Sequence, residues 1–216
     1  MKKVIKILLG LVAVVAIAVI VYMVILFPVH EYKEDTAQTE SFDVNDMLLK
    51  SMPKNFSLEN KKIQTTLSLT EDELKSLILP EIKKMGNVDD ADIIIGSNTI
   101  EIYATQKVLK YFPTEISLLL KSEMEDGKSK LVLNDAKLGK IDLDKESILN
   151  KVKDNKIMFF DVQPSDNEII LEDEDLKDLI TVTAIRLEDK KASVDIEVEL
   201  NSMEDLMRLM NLVSEK

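Results

Sequence analysis

The stretch from Ile7 to Phe27 contains no charged residue, and Pro28 closes it. A helix of that length measures roughly 31 Å, against a bilayer hydrocarbon core about 30 Å thick. The run predicts a membrane-spanning helix from Ile7 to Phe27. It divides the chain into a tail (1–6), the span (7–27), a stalk (28–60) and a folded domain (61–216). Lys2, Lys3 and Lys6 crowd the amino side, whereas Glu31, Glu34 and Asp35 follow the exit. Positive charge stays on the cytoplasmic side, so the expectation is a cytoplasmic amino terminus and an extracytoplasmic domain. The competing reading is a cleaved signal peptide, because Ala16-Ile17-Ala18 has the A-x-A form. That triplet lies in the middle of the apolar run, and cleavage there would leave an apolar new terminus. A lipid-modified cysteine anchor is excluded, because the chain has no cysteine.

Charge narrows the partners. After residue 29 there are 25 basic residues against 40 acidic ones, a net −15. Such a body is repelled by phosphate and by anionic headgroups. Nucleic acid is therefore not expected, and contact with lipid would go through apolar surface. Without disulfides, stability must come from the core. Five glycines and no tryptophan argue against phosphate-cradling loops and sugar-stacking clefts.

Beyond the span, Val44, Met47, Leu48 and Met52 fit one face of a short amphipathic helix that Pro53 would end. Lys62 to Leu69 alternates as a half-buried strand. Thr70 with Glu73 reads as a capping box opening a helix to Met85, with Leu74, Leu77, Ile78 and Ile82 on its apolar stripe and Pro80 bending it. Three hairpins follow from their turns: 92–95 with 99–105, 115–124 with 128–136 around Asp126-Gly127, and 181–187 with 192–200. Pro113 reads as an interruption before the second hairpin. Asp144 caps a short helix to Lys153, burying Ile148, Leu149 and Val152. Strands are expected at 156–162 and 168–171, and 172–179 is ambiguous between helix and turn. Ser202 with Asp205 opens a closing helix to about Glu215, whose apolar residues exceed what one sheet contact requires. The fold class expected is α+β: a curved, mostly antiparallel sheet wrapped around helices 70–85 and 202–215.

Catalytic signals are absent from the sequence. His30, the sole histidine, sits beside the membrane exit and would have to fold back into the domain to serve a dyad or triad; an interfacial residue is the simpler expectation. No H-E-x-x-H, Cys/His cluster or G-x-S-x-G occurs. The acidic clusters Asp89, Asp90, Asp92 and Glu172 to Asp175 lack calcium-loop spacing and read as solvated loops. No metal, no cofactor and no enzymatic activity are expected. Met203, Met207 and Met210 are the adaptable kind of side chain that suits an apolar partner, although core packing uses methionine equally well. Leu77, Ile78 and Ile82 with Leu206, Met207 and Met210 are the candidate lining of an apolar groove.

The single anchor, the segment LSLTEDELKSLI, and the run from Ile100 to Asp154 together resemble the YpmS-like family of membrane-anchored bacterial proteins. The matching positions are Thr70 to Leu74, Asp126-Gly127 and Gly139; the chain departs from the family around Ile141 to Asp144. The resemblance covers about residues 60–200 and implies the topology and a bacterial plasma-membrane location, but no activity. The expected function is non-enzymatic binding or handling of a lipid or amphiphile in the cell envelope. The alternative is a scaffold or regulatory subunit that binds another envelope protein.

Overall fold

The computed structural model describes residues 2–32 (backbone alone for 2–10), 62–84, 88–108, 111–125, 128–154, 161–170, 179–202, 204–205 and 207. The expected amphipathic helix at 44–52, the turn Asp126-Gly127, the stretch Glu172 to Asp175, and Met203, Leu206 and Met210 lie outside these residues. The elements in chain order are α1 (Lys2–Ile25), β1 (Lys62–Thr70), α2 (Glu71–Lys84), β2 (Val88–Gly96), β3 (Thr99–Val108), β4 (Phe112–Glu125), β5 (Lys128–Leu138), β6 (Ile141–Asp142), α3 (Lys145–Asp154), β7 (Asp161–Gln163), β8 (Glu168–Ile170), β9 (Ile180–Glu188) and β10 (Lys191–Glu199). The class is α+β, and the described strand pairs are antiparallel.

The strands form two sheets where the sequence suggested one. Seven strands run β2-β3-β4-β5-β8-β7 with β6 on β5, and three run β1-β10-β9. Local chemistry set the hairpins well. At the β2–β3 turn Asn98 takes φ 65°, and at the β9–β10 turn Lys190 takes φ 62°; asparagine tolerates that left-handed region better than lysine does. Glu188 pairs directly with Lys191, so the four-residue loop expected there is a two-residue turn. Pro113 does not end a strand: it is the second residue of β4, opposite Lys107. A strand start is where a missing N–H is tolerated.

The expected caps are present. Glu73 N–H donates to Thr70 Oγ1 at 3.3 Å while Thr70 N–H donates to Glu73 Oε2 at 2.7 Å, the reciprocal pair of a capping box. Ser147 N–H donates to Asp144 Oδ2 at 3.0 Å, and Asp205 N–H to Ser202 Oγ at 3.1 Å.

One contiguous core joins the two sheets. Ile93, Ile95, Ile100, Leu120, Leu131 and Leu133 line the inner face of the large sheet. Ile185, Leu187 and Ala192 reach it from the small one, and Leu149 of α3 closes it. A second cluster of Leu179, Val198 and Leu200 sits at the other end of the small sheet. Strand β9 is an edge strand, and three of its outward backbone groups find partners in the hairpins of the large sheet. Ser122 Oγ donates to Ile185 O at 2.7 Å, Ile185 N–H donates to Ser129 Oγ at 2.9 Å, and Asn98 N–H donates to Leu187 O at 3.0 Å. The ends of the large-sheet hairpins thus satisfy the edge of the small sheet.

Candidate functional site

A dense polar cluster lies where the chain leaves α1 and crosses the outer face of the large sheet. Side chains from Leu11 to Val21 stand exposed; burial begins at Tyr22. Among the described residues no helix is long and apolar enough to cross a membrane. The described side chains of α1 begin at Leu11, four residues into the apolar run that starts at Ile7.

The end of α1 is held by the domain. A helix leaves its last carbonyls without partners. Here Lys140 N–H donates to Ile25 O at 2.8 Å and Thr114 Oγ1 donates to Leu26 O at 2.9 Å, with Thr114 fully buried. Tyr22 OH donates to Pro113 O, and its ring packs edge-on against Phe112 with centroids 5.1 Å apart. Gly139, at φ +58°, makes the contact possible: a Cβ there would lie 2.2 Å from Ile25 O. Gly139 thus has a physical reason at the joint.

Residues 28–32 then lie against β2, β3 and β4. The side chains of Asp92, Tyr103, Glu115 and Ser117 share the outer face of the sheet, as the pairing of Asp92 with Tyr103 and of Tyr103 with Ser117 requires. The His30 ring stacks on Tyr103, centroids 4.1 Å apart and planes within 2°. His30 Nε2 lies 2.8 Å from Asp92 Oδ2, while Lys75 Nζ of α2 lies 2.9 Å from Asp92 Oδ1 and 3.1 Å from Glu71 Oε1. Glu115, only 8% exposed, accepts from His30 N–H at 3.1 Å and from Tyr32 OH at 3.2 Å.

The charges in this cluster are tuned by their neighbours. Burial alone would raise the Asp92 carboxyl, but hydrogen bonds from Lys75 and His30 outweigh it and hold its pKa below the usual value. Burial likewise opposes the Lys75 ammonium, and Asp92 and Glu71 overcome it, so Lys75 titrates above its usual range. Burial, with a hydrogen bond to Glu101, pushes Tyr103 up to about 12. Tyr32 is raised by burial and by the adjacent Glu115 carboxylate.

His30 is therefore folded back into the domain, contrary to the simpler expectation. The arrangement is a His–Asp–Lys–Glu chain. Among the described residues the ring bonds to a carboxylate, with no hydroxyl or thiol nucleophile bonded to it. Its chemistry is that of a strap and clasp. The sequence held only part of it: His30 and Tyr32 are two apart, which in an extended segment puts both rings on one face, but nothing local names Asp92 or Glu115 as their partners. A shallow open depression of about 240 Å³ continues the same sheet face, lined by Glu101, Tyr103, Ser117, Leu118, Leu119, Asp135 and Lys137.

The groove candidates fall elsewhere. Ile78 and Ile82 are half-buried and pack on the main core. Leu77 is also half-buried, and Met207 is 60% exposed. Of the acidic cluster, Asp89 pairs with Lys107 at 3.2 Å and Asp92 belongs to the clasp. Among the described residues no three His, Cys, Asp or Glu side chains converge to hold a metal. No protein-family model, curated protein or solved structure matches the chain.

Proposed function

We propose that the chain is a YpmS-like, single-pass membrane protein with its amino terminus in the cytoplasm, whose extracytoplasmic domain binds or handles a lipid or amphiphile in the bacterial envelope without catalysing a reaction. The observation that carries the reading is the joint: an apolar run from Ile7 to Phe27, helical as far as Ile25, ends in a socket of the domain built from Pro113, Thr114 and Gly139–Lys140. A domain fixed at the mouth of a span is placed to act on what lies in the adjacent leaflet. On this reading the apolar surface offered to the ligand is that of Leu77, Ile78 and Ile82 of α2 together with Leu206, Met207 and Met210 of the expected closing helix. Each methylene buried there is worth about 0.8 kcal/mol.

The experiment is to purify residues 28–216 without detergent, denature them, and run mass spectrometry on the organic extract. A defined lipid near one per chain supports the reading. An empty extract from a well-folded monomer removes the cargo and leaves the second reading, a scaffold for another envelope protein. The inner face favours that second reading, since Ile93, Ile95, Leu133 and Leu149 are almost wholly buried. A stoichiometric partner lost on deletion of residues 202–216 would support it.

A further inference from the structure

Among the described residues, most exposed large apolar side chains outside α1 fall in one region. Beyond α1, the large apolar residues exposed among the described ones are Phe27, Val29, Tyr111, Phe112, Ile141, Met124 and Met207. The first five all flank the joint. Phe27 and Phe112 each pack edge-on against the Tyr22 ring. Ile141 follows Lys140, whose N–H caps α1, and Tyr111 precedes Phe112 at the start of β4. Val29 and Tyr111 are 77% and 81% exposed, more than any large apolar side chain described in α1.

We propose that this rim is a membrane-contacting base, seated in the headgroup layer of the leaflet from which α1 emerges. It rests on the reading of α1 as a span, not on the lipid-cargo reading. Three observations select lipid as the occupant. The rim is continuous with the apolar surface of α1, so it surrounds the point where a span must leave the hydrocarbon. Its composition mixes tyrosine and phenylalanine with aliphatics, as interfacial belts do. The rest of the domain is acidic and is repelled by anionic headgroups, whereas next to Ile141 the exposed Lys140 and Asp142 offset one another. Because α1, Gly139 and the His30 clasp fix the joint, seating the rim also fixes the tilt of the domain. Strand β4 then carries Met124 away from the membrane, up to about 40 Å along the strand from Phe112.

The absence of cysteine allows a direct test on the full chain. Single variants Val19→Cys, Tyr111→Cys, Ile141→Cys and Met124→Cys are spin-labelled and reconstituted in phosphatidylethanolamine/phosphatidylglycerol vesicles. Collision with oxygen, which partitions into lipid, is compared with collision with a water-soluble nickel chelate. The expected result is a label at 19 deep in the bilayer, labels at 111 and 141 at headgroup depth with an oxygen-to-nickel ratio severalfold above that at 124, and a label at 124 in water. If 19 is embedded while 111 and 141 are as wet as 124, the membrane base is wrong and the anchor stands. If 19 is in water, both are wrong. Protection at 111 that vanishes on dilution in the membrane, with dipolar broadening between labels, would overturn lipid in favour of a second copy.

Discussion

At the scale of single residues, the joint turns on atoms that no pattern of hydrophobicity reports. Gly139 combines a left-handed backbone with a close approach to backbone atoms of α1, and neither can be relieved by turning a side chain. Gly139→Ala is expected to cost more than the roughly 1–2 kcal/mol of the left-handed conformation alone. Gly96→Ala should cost clearly less: its Cβ would meet only Thr99 Oγ1, at 2.7 Å, and that hydroxyl can rotate away. Thermal melts of the two variants against the parent give the comparison, and equal losses would contradict the socket. The clasp makes a pH prediction. A carboxyl whose folded pKa lies below its unfolded one contributes stability that is fully present above the unfolded value, about 3.9, and is lost as pH falls through the folded value. Asp92 is such a group. Stability should fall as pH drops below about 4, and Asp92→Asn, already less stable at neutral pH, should show a shallower fall. A parallel shift of both curves would remove Asp92 as a source of the pH dependence.

At the scale of elements, the sequence was most legible where chemistry is local. The capping boxes at Thr70–Glu73 and Ser202–Asp205, the Asp144 cap and the alternation of β1 all appear as read, because each depends on neighbours within a few residues. The β1–β10 ladder shows what such alternation does on its wet face: Lys62 reaches Glu197 at 2.7 Å and Thr66 reaches Asp195 at 2.7 Å, so the acidic stripe of β10 is partnered across the strands. What could not be read was the fate of the free edge of β9. Ser122 and Ser129 look like ordinary strand serines, yet they take the carbonyl and the N–H of Ile185, a residue about sixty positions away. Ser129→Ala leaves a buried N–H without a partner and should cost about 1–3 kcal/mol. Chemical denaturation reads that loss, and faster amide exchange at Ile185 would locate it; an unchanged exchange rate would show the bond to be dispensable.

At the scale of the whole molecule, four of the five polar residues buried among those described mark where segments distant in sequence meet. Thr114 and Glu115 receive the end of α1 and the strap, Ser122 and Ser129 receive the small sheet, and Thr105 ties to the Asp90 backbone at the edge of the large one. No buried side-chain polar atom among the described residues lacks a partner. Burying a polar group is tolerable only when its bond is made, so these side chains hold the pieces in specific registers that apolar contact alone leaves free. The first residues of the expected stalk belong to this assembly, since His30 and Tyr32 are part of the sheet surface.

The sequence by itself determined the apolar run, the α+β class, the hairpins and the caps, because periodicity and short-range hydrogen bonding are properties of neighbouring residues. Only the tertiary structure decided that the strands divide into two sheets, that His30 returns to Asp92 across 62 positions, and that Gly139 abuts the end of α1. These are meetings of chain segments distant in sequence, selected by the geometry of packing, and no local pattern encodes which distant groups will meet.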